Sequence, residues 1–276
     1  MSKPKALVLY GDGINCDAET AFALNLAGFE ATRMHTSELL ETPGRLLNTR
    51  LLALPGGFAF GDEIASGKVL AIKLKEKLKD VLYGYIDKGN LVLGICNGFQ
   101  VLVQLGILPD STADAKRSVS LCGNSGGKFI NRWVRLEATP ESRSSFLAGL
   151  DDVHLPIRHG EGRLMVAEGD TEAVKQRVKK HGVLRYDEDV NGSFDRIAGL
   201  INEQGNVFGL MPHPEAFVRW TQHPAWTRPG APTSGRPADP KERKDQPGEL
   251  RITARSTDDV PHGLKILQNA AYLANN

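Results

Sequence analysis

A chain of 276 residues with 41% hydrophobic and 24% charged side chains has enough apolar material for one large α/β domain or two small ones. Its 34 basic and 33 acidic residues leave a net charge of +1, which gives no electrostatic footprint for nucleic acid or an anionic membrane. Three cysteines, Cys16, Cys96 and Cys122, stand far apart without a CxxC pair, and no apolar run suits a signal peptide or a membrane span, so a reducing cytoplasm is the expected location.

In chain order, KALVLY (5–10) reads as a buried strand and DAETAFALNLAG (17–28) as a helix closed by Gly28. EATRMH (30–35) is a second strand and RLLALPGG (50–57) a third, stopped by Pro55-Gly56-Gly57. A helix of about twenty residues is expected from about Ser66 to Lys88, with Gly89 just past its end. LVLGIC (91–96) is the fourth strand, and Asn97 to Leu105 a helix ending at Gly106. Alternating strands and helices predict a doubly wound, mostly parallel sheet with helices on both faces.

The second half predicts strands in KFINRWVRLEA (128–138), PIRHGEGRLMVA (156–167) and DRIAGLINEQGNVFGLM (195–211), the last a hairpin turning at Gln204-Gly205-Asn206. These are expected to extend the same sheet with antiparallel pairs. A stretch rich in proline and charge at about 221–260 reads as an insertion, and HGLKILQNAAYLANN (262–276) as a closing helix. The whole chain, 1–276, is expected to form a single domain carrying that insertion.

Two glycine-rich stretches mislead. GDGINC (11–16) follows a strand and opens a helix, but Cys16 stands where a dinucleotide fingerprint needs its third glycine, and no acidic residue ends the second strand. It reads as a tight turn whose backbone N–H groups line a site. GDEIASGKV (61–69) has five residues between its glycines and Val69 in place of a Mg²⁺-binding hydroxyl, which excludes a phosphate loop. The seven histidines show no HxxxH or HxxEH spacing, so no metal is expected.

Cys96 carries the chemistry. Gly94 and Gly98 flank it at two residues on either side, the G-x-nucleophile-x-G arrangement with cysteine for serine. Such a turn exposes the sulfur at the carboxyl end of the sheet, and the helix that follows favours thiolate and offers the Asn97 N–H to an oxyanion. The alternative is a structural cysteine between two packing glycines. A nucleophile also needs a proton shuttle with an orienting acid. GLMPHPEAF (209–217) offers His213 and Glu215, though the same residues suit a surface turn, and His159 in RHGEGR competes for the role. LPGGF (54–58) supplies a second candidate oxyanion donor near Gly57, or a plain turn.

Taken together, LPGGF, GICNGFQ (94–100) and MPHPE (211–215), in this order, resemble class I (triad) glutamine amidotransferases. GINCDAETAFALNLAGFEA, PGGFAFGDEIASGKVLA, GICNGFQVLVQLGILP and RHGEGR are similar to the PurQ-type glutaminase subunits of phosphoribosylformylglycinamidine synthase. The resemblance implies a flavodoxin-like α/β fold with Cys96 as nucleophile, His213 as proton carrier and Glu215 as its orienting acid. It implies an oxyanion hole from backbone N–H groups of Gly57 and Asn97, and substrate contacts from Gln100, His159, Gly160 and Glu161. It further implies glutamine as substrate, with ammonia passed to a synthetase subunit that uses ATP and Mg, a small third subunit, and no cofactor in this chain. The readings beside it are an amidotransferase serving another acceptor and a catalytically silent regulatory subunit. The sequence departs from the family at Ala59 and Phe60, where it often has Ser-Tyr, and at Ala216, where arginine is common.

Overall fold

The computed structural model describes residues 2–62, 65–109, 117–139, 145–167, 171–227 and 260–276. The first half runs β1 (Lys5–Tyr10), α1 (Asp17–Ala27), β2 (Glu30–His35), α2 (Thr36–Glu41), β3 (Leu51–Leu54), α3 (Lys68–Asp87), β4 (Leu91–Ile95) and α4 (Asn97–Gln104). The second half runs β5 (Val119–Gly123), β6 (Ile130–Ala138), β7 (Asp152–His159), β8 (Glu161–Val166), α5 (Glu172–His181), β9 (Gly182–Tyr186), β10 (Ile197–Ile201), β11 (Val207–Leu210) and α6 (His262–Asn275).

Nine strands form one sheet in the order β2-β1-β3-β4-β11-β10-β9-β6-β7. The first five are mutually parallel, with Leu52 paired to Leu7 on one side and to Val92 on the other. From β11 outward every pair is antiparallel. Strands β3, β4 and β11 are buried along their whole length, which explains their uninterrupted apolar runs. Helix α3 buries Leu70, Leu74, Leu78 and Leu82, one per turn, and keeps its lysines on the opposite side.

The strand order places the site. The chain leaves β1 for β2 on one side and returns to β3 on the other, so the loops after β1 and β3 part at their carboxyl ends. An open sheet binds ligands at such a switch point. The loop 11–16, the loop 55–58 and the turn at Cys96 all lie there.

The sequence reading fails in two places. The run 156–167 is not one strand. It divides at Gly160, with β7 on the edge of the large sheet and β8 paired to β5 in a separate two-stranded sheet. Asn124 fixes the break, because its Nδ2 donates to His159 O (2.8 Å) and its N–H to Gly160 O (2.9 Å). The elements α2, β5, α5 and β9 were not anticipated at all. Of the expected insertion at 221–260, residues 228–259 lie outside the described residues.

Helix α6 returns to the carboxyl end of the core. Its Leu264 N–H donates to Phe217 O (3.2 Å), and Gly263 sits so close that an added Cβ would come 2.6 Å from Phe217 O.

Candidate active site

Cys96 sits between the last residue of β4 and the first of α4 with φ 51° and ψ −105°. A non-glycine residue at positive φ is strained by about 1–3 kcal/mol, a cost that persists only where the surroundings impose it. Here both flanks impose it. A Cβ at Gly98 would overlap the Leu54 carbonyl, and one at Gly94 would lie 2.6 Å from Leu102 Cδ1 and 2.8 Å from the Gly98 carbonyl carbon. The Cys96 N–H donates to Leu210 O (2.8 Å), tying the turn to β11.

His213 follows β11, and its N–H donates to Pro156 O (2.9 Å). Pro214, Glu215 and Ala216 form a 3-10 turn that folds the carboxylate back, so that Glu215 Oε1 accepts from His213 Nδ1 at 2.6 Å. Both side chains are buried, at 3% and 1% exposure. Burial pulls the imidazole toward neutrality, but the Glu215 carboxylate and the Cys96 and Cys16 thiols overcome it and hold its pKa well above the ordinary histidine value. A proton on Nδ1 leaves Nε2, which makes no hydrogen bond, directed at the cavity.

His159, the rival histidine, differs in every respect that matters for proton transfer. Its Nδ1 meets the amide oxygen of Asn124 (3.1 Å) and no carboxylate. Burial, assisted by the positive charge of His213, lowers its pKa to about 4. It stays neutral near pH 7.

The glycines of the 55–58 loop let backbone approach backbone. Ile14 and Gly57 form an isolated antiparallel bridge in which Phe58 N–H donates to Gly13 O (2.8 Å), leaving the Gly57 N–H outside that bond. A Cβ at Gly56 would lie 2.8 Å from His213 Cε1, 3.3 Å from Cys16 Sγ and 3.5 Å from Cys96 Cβ, so this one glycine touches all three groups.

Sequence reasoning took Asn97 only for its N–H. Its side chain does more. Oδ1 accepts from Ala59 N–H (3.2 Å), while Nδ2 donates to Asp62 Oδ1 (3.1 Å) and Gln100 Oε1 (2.9 Å). Gln100 Nε2 donates to Glu161 O (2.5 Å), and Ser66 Oγ to Glu161 Oε2 (2.6 Å). The chain of bonds joins the helix that follows Cys96 to both loops that flank it. Asp62 ends this network, and burial raises the pKa of its carboxyl.

These groups surround a cavity of about 450 Å³. Cys96, His213, Gly57, Gln100, His159, Gly160 and Glu161 all line it, with Asn97 and Glu215 bonded from behind. Cys16, Asp62, Ser66 and Arg158 also line it and were not foreseen. The GDGINC turn does border the site, as the plain reading of that stretch expected. Of the departures, Phe60 adopts φ 55° and carries Lys73 Nζ 4.2 Å above its ring.

A cysteine at a strained turn, beside a histidine held by a carboxylate, is chemistry shared by several enzyme classes, and comparison with known proteins separates them. The family model for CobB/CobQ-like glutamine amidotransferase domains matches residues 3–244. The chain is a glutamine amidotransferase. Its similarity narrows the family further. The phosphoribosylformylglycinamidine synthase subunit PurQ of Dehalococcoides mccartyi is 41% identical over 246 residues, covering 85% of this chain and 94% of that protein. The same subunit from Thermotoga maritima is 40% identical over 78% of this chain and 89% of its own length. The solved structure of PurLQS from T. maritima matches with a TM-score of 0.62 at 37% identity, over 78% of this chain. This amidotransferase chain therefore belongs to the PurQ family. Among its described residues no helix is long and apolar enough to cross a membrane.

Proposed function

We propose that this chain, a glutaminase subunit of phosphoribosylformylglycinamidine synthase in purine biosynthesis, works through Cys96, His213 and Glu215 as its triad. One observation carries the assignment: the buried 2.6 Å bond from His213 Nδ1 to Glu215 leaves Nε2 unpaired in the cavity that Cys96 enters from a positive-φ turn.

The steps follow from these positions. The Cys96 thiol proton passes to His213 Nε2, and Sγ, now a thiolate, attacks the side-chain carboxamide carbon of glutamine. The oxyanion takes hydrogen bonds from the N–H groups of Asn97 and Gly57. His213 gives its Nε2 proton to the departing nitrogen, and ammonia leaves a γ-glutamyl thioester. A water then loses its proton to Nε2 and attacks the thioester carbon, releasing glutamate and restoring the thiol. Glu215 keeps the ring in one tautomer and supports its positive charge throughout. Gln100, His159, Gly160 and Glu161 form the wall that receives the amino-acid end of the substrate.

Ammonia must then reach a synthetase subunit unprotonated, because ammonium is no nucleophile. That requirement favours a docked complex with the ATP- and Mg-dependent subunit and a small third subunit over release to solvent. We read residues 1–276 as one amidotransferase domain with its insertion at about 221–260. The test is labelling with an electrophilic glutamine analogue, with and without the synthetase, followed by mapping of the adduct. Labelling of Cys96 alone, blocked by glutamine, is expected. No label in either condition would overturn the catalytic reading.

A further inference from the structure

The cavity wall around Glu161 holds more acceptors than donors. Ser66 Oγ lies 2.6 Å from Glu161 Oε2 and 3.2 Å from Asp62 Oδ2, and one hydroxyl has one proton to give. The shorter contact takes it. Asp62 Oδ1 already accepts from Asn97 Nδ2 and from Gly67 N–H, both at 3.1 Å, as the carbonyl oxygen of a neutral carboxyl would. Its Oδ2 is left to donate to Ser66 Oγ. The Asn97 amide does not turn round to change this count, because its Oδ1 accepts from Ala59 N–H.

His159 points to a ligand on the same wall. Asn124 Nδ2 donates to Lys128 O and to His159 O, both at 2.8 Å, so Asn124 Oδ1 accepts the proton on His159 Nδ1. The ring is neutral near pH 7, which leaves a lone pair on Nε2. That nitrogen is buried, on a residue 3% exposed, and makes no hydrogen bond. His159, Glu161, Asp62 and Ser66 line one cavity. Such a wall suits a group that brings positive charge and several N–H donors. On the glutaminase reading, on which this inference rests, the ammonium of glutamine is that group.

We propose that Asp62 is a substrate-positioning residue acting through Ser66 and Glu161: it holds a proton in the empty site and loses it to solvent when the glutamine ammonium binds. The O–H bond on Oδ2 breaks, and Glu161 and His159 Nε2 accept from the ammonium in its place. Burial first, and the charge of Glu161 on β8, favour the neutral carboxyl against the Gly67, Asn97 and Ser66 bonds. The other described groups around Asp62 carry no opposing charge. Helix α4 presents Asn97 and Gln100, the start of α3 presents Ser66 and Gly67, and Lys73 of α3 turns its ammonium over Phe60. A cation within reach of a carboxyl lowers its pKa by about 1–3 units, so glutamine should bind the ionised form about 10- to 10³-fold more tightly. Affinity for glutamine therefore falls as pH falls through the range where Asp62 takes up its proton.

The test uses the full chain. Asp62→Asn imitates the neutral carboxyl, with an amide oxygen for Asn97 and Gly67 and an NH₂ for Ser66. Glutamine binding to Cys96→Ala is measured by calorimetry at about pH 5.5, where ordinary carboxyls have ionised, in two buffers of different ionisation enthalpy. Proton release is expected. It should vanish when Asp62→Asn is added, and for glutaric acid monoamide, which is glutamine without its amino group. With the synthetase present and Cys96 intact, Asp62→Asn should raise KM at neutral pH more than about tenfold, keep kcat within about threefold, and flatten the rise of KM toward acid. Glutamine that binds without releasing a proton, release that survives Asp62→Asn, or equal release with the monoamide overturns the proposal and leaves the glutaminase reading standing. A wild type that neither binds nor hydrolyses glutamine refutes that reading. Infrared spectra of the glutamine-free chain then judge the proton alone: a carboxylic acid band at about pH 5.5 that Asp62→Asn removes supports it, and a wild type without the band overturns it.

Discussion

Glu215→Gln tests the triad with the smallest change of shape. The bond it alters is 2.6 Å long and shut away from water on both sides. A hydrogen bond to a charged group contributes about 1.5–3 kcal/mol, and screening by solvent does not reduce it here. At about 1.4 kcal/mol per decade, the imidazolium loses roughly 10- to 150-fold of its stabilisation. Where the amide turns its NH₂ toward Nδ1, the proton moves to Nε2 and the ring cannot accept another, a loss of about 10⁴. The expected fall in kcat/KM for glutamate release, measured with the synthetase present, is therefore about 10–10⁴. The pH profile gives an independent sign. Glu215 raises the proton affinity of His213, so its removal must lower it, and the alkaline limb of the profile moves to lower pH. Activity within about threefold of wild type, with the limb unmoved, would refute the claim that the carboxylate acts through the imidazole.

Two further outcomes concern the frame. Gly98→Ala drives a Cβ into the Leu54 carbonyl and forces β3 from α4, at a cost of about 1–3 kcal/mol. Thermal unfolding should show Tm lower by roughly 3–10 °C, and an unchanged Tm would mean the close approach is dispensable. His159 couples folding to acid. Its folded pKa of about 4 lies below the ordinary 6.5, so the unfolded chain binds the proton first and stability falls between pH 6.5 and 4, by at most about 3 kcal/mol. Urea midpoints at pH 7 and 4.5 should converge in His159→Asn relative to wild type, and equal pH dependence in both would refute the assignment.

The parallel half of the fold was legible because its central strands β3, β4 and β11 are buried along their whole length and its helices end at a glycine or polar break. Gly28, with φ 115°, closes α1 where the sequence placed its end. The antiparallel half was less legible because its strands differ among themselves, β10 buried throughout while β6 mixes buried and exposed positions and β8 buried and half-buried ones. The run 156–167 kept strand-like composition straight through Gly160, and only Asn124, distant in sequence, decides that it breaks. The same logic divides the site. Cys96 and its glycines, and His213 with Glu215, are local patterns that a sequence displays. Cys16, Asp62 and the side chain of Asn97 gain their places from contacts between loops, which no spacing along the chain encodes.

His154 on β7 holds both ends of the segment that departs after Glu215. Its Nδ1 meets His223 Nε2 at 2.8 Å, and its N–H donates to His262 Nδ1 at 2.9 Å. Phe217 packs against both partner rings, at 5.7 Å and 5.9 Å between centroids. Exit and re-entry are thus pinned to one strand residue and one aromatic ring. The entropy of closing a loop between fixed ends grows only with the logarithm of its length, about 0.6 kcal/mol for each doubling. The fold therefore has a socket at this edge. The closure entropy of any chain joining these two points changes little with its length, while the turn that carries His213 and Glu215 is held by its own bonds, from His213 N–H to Pro156 O and from His213 Nδ1 to Glu215.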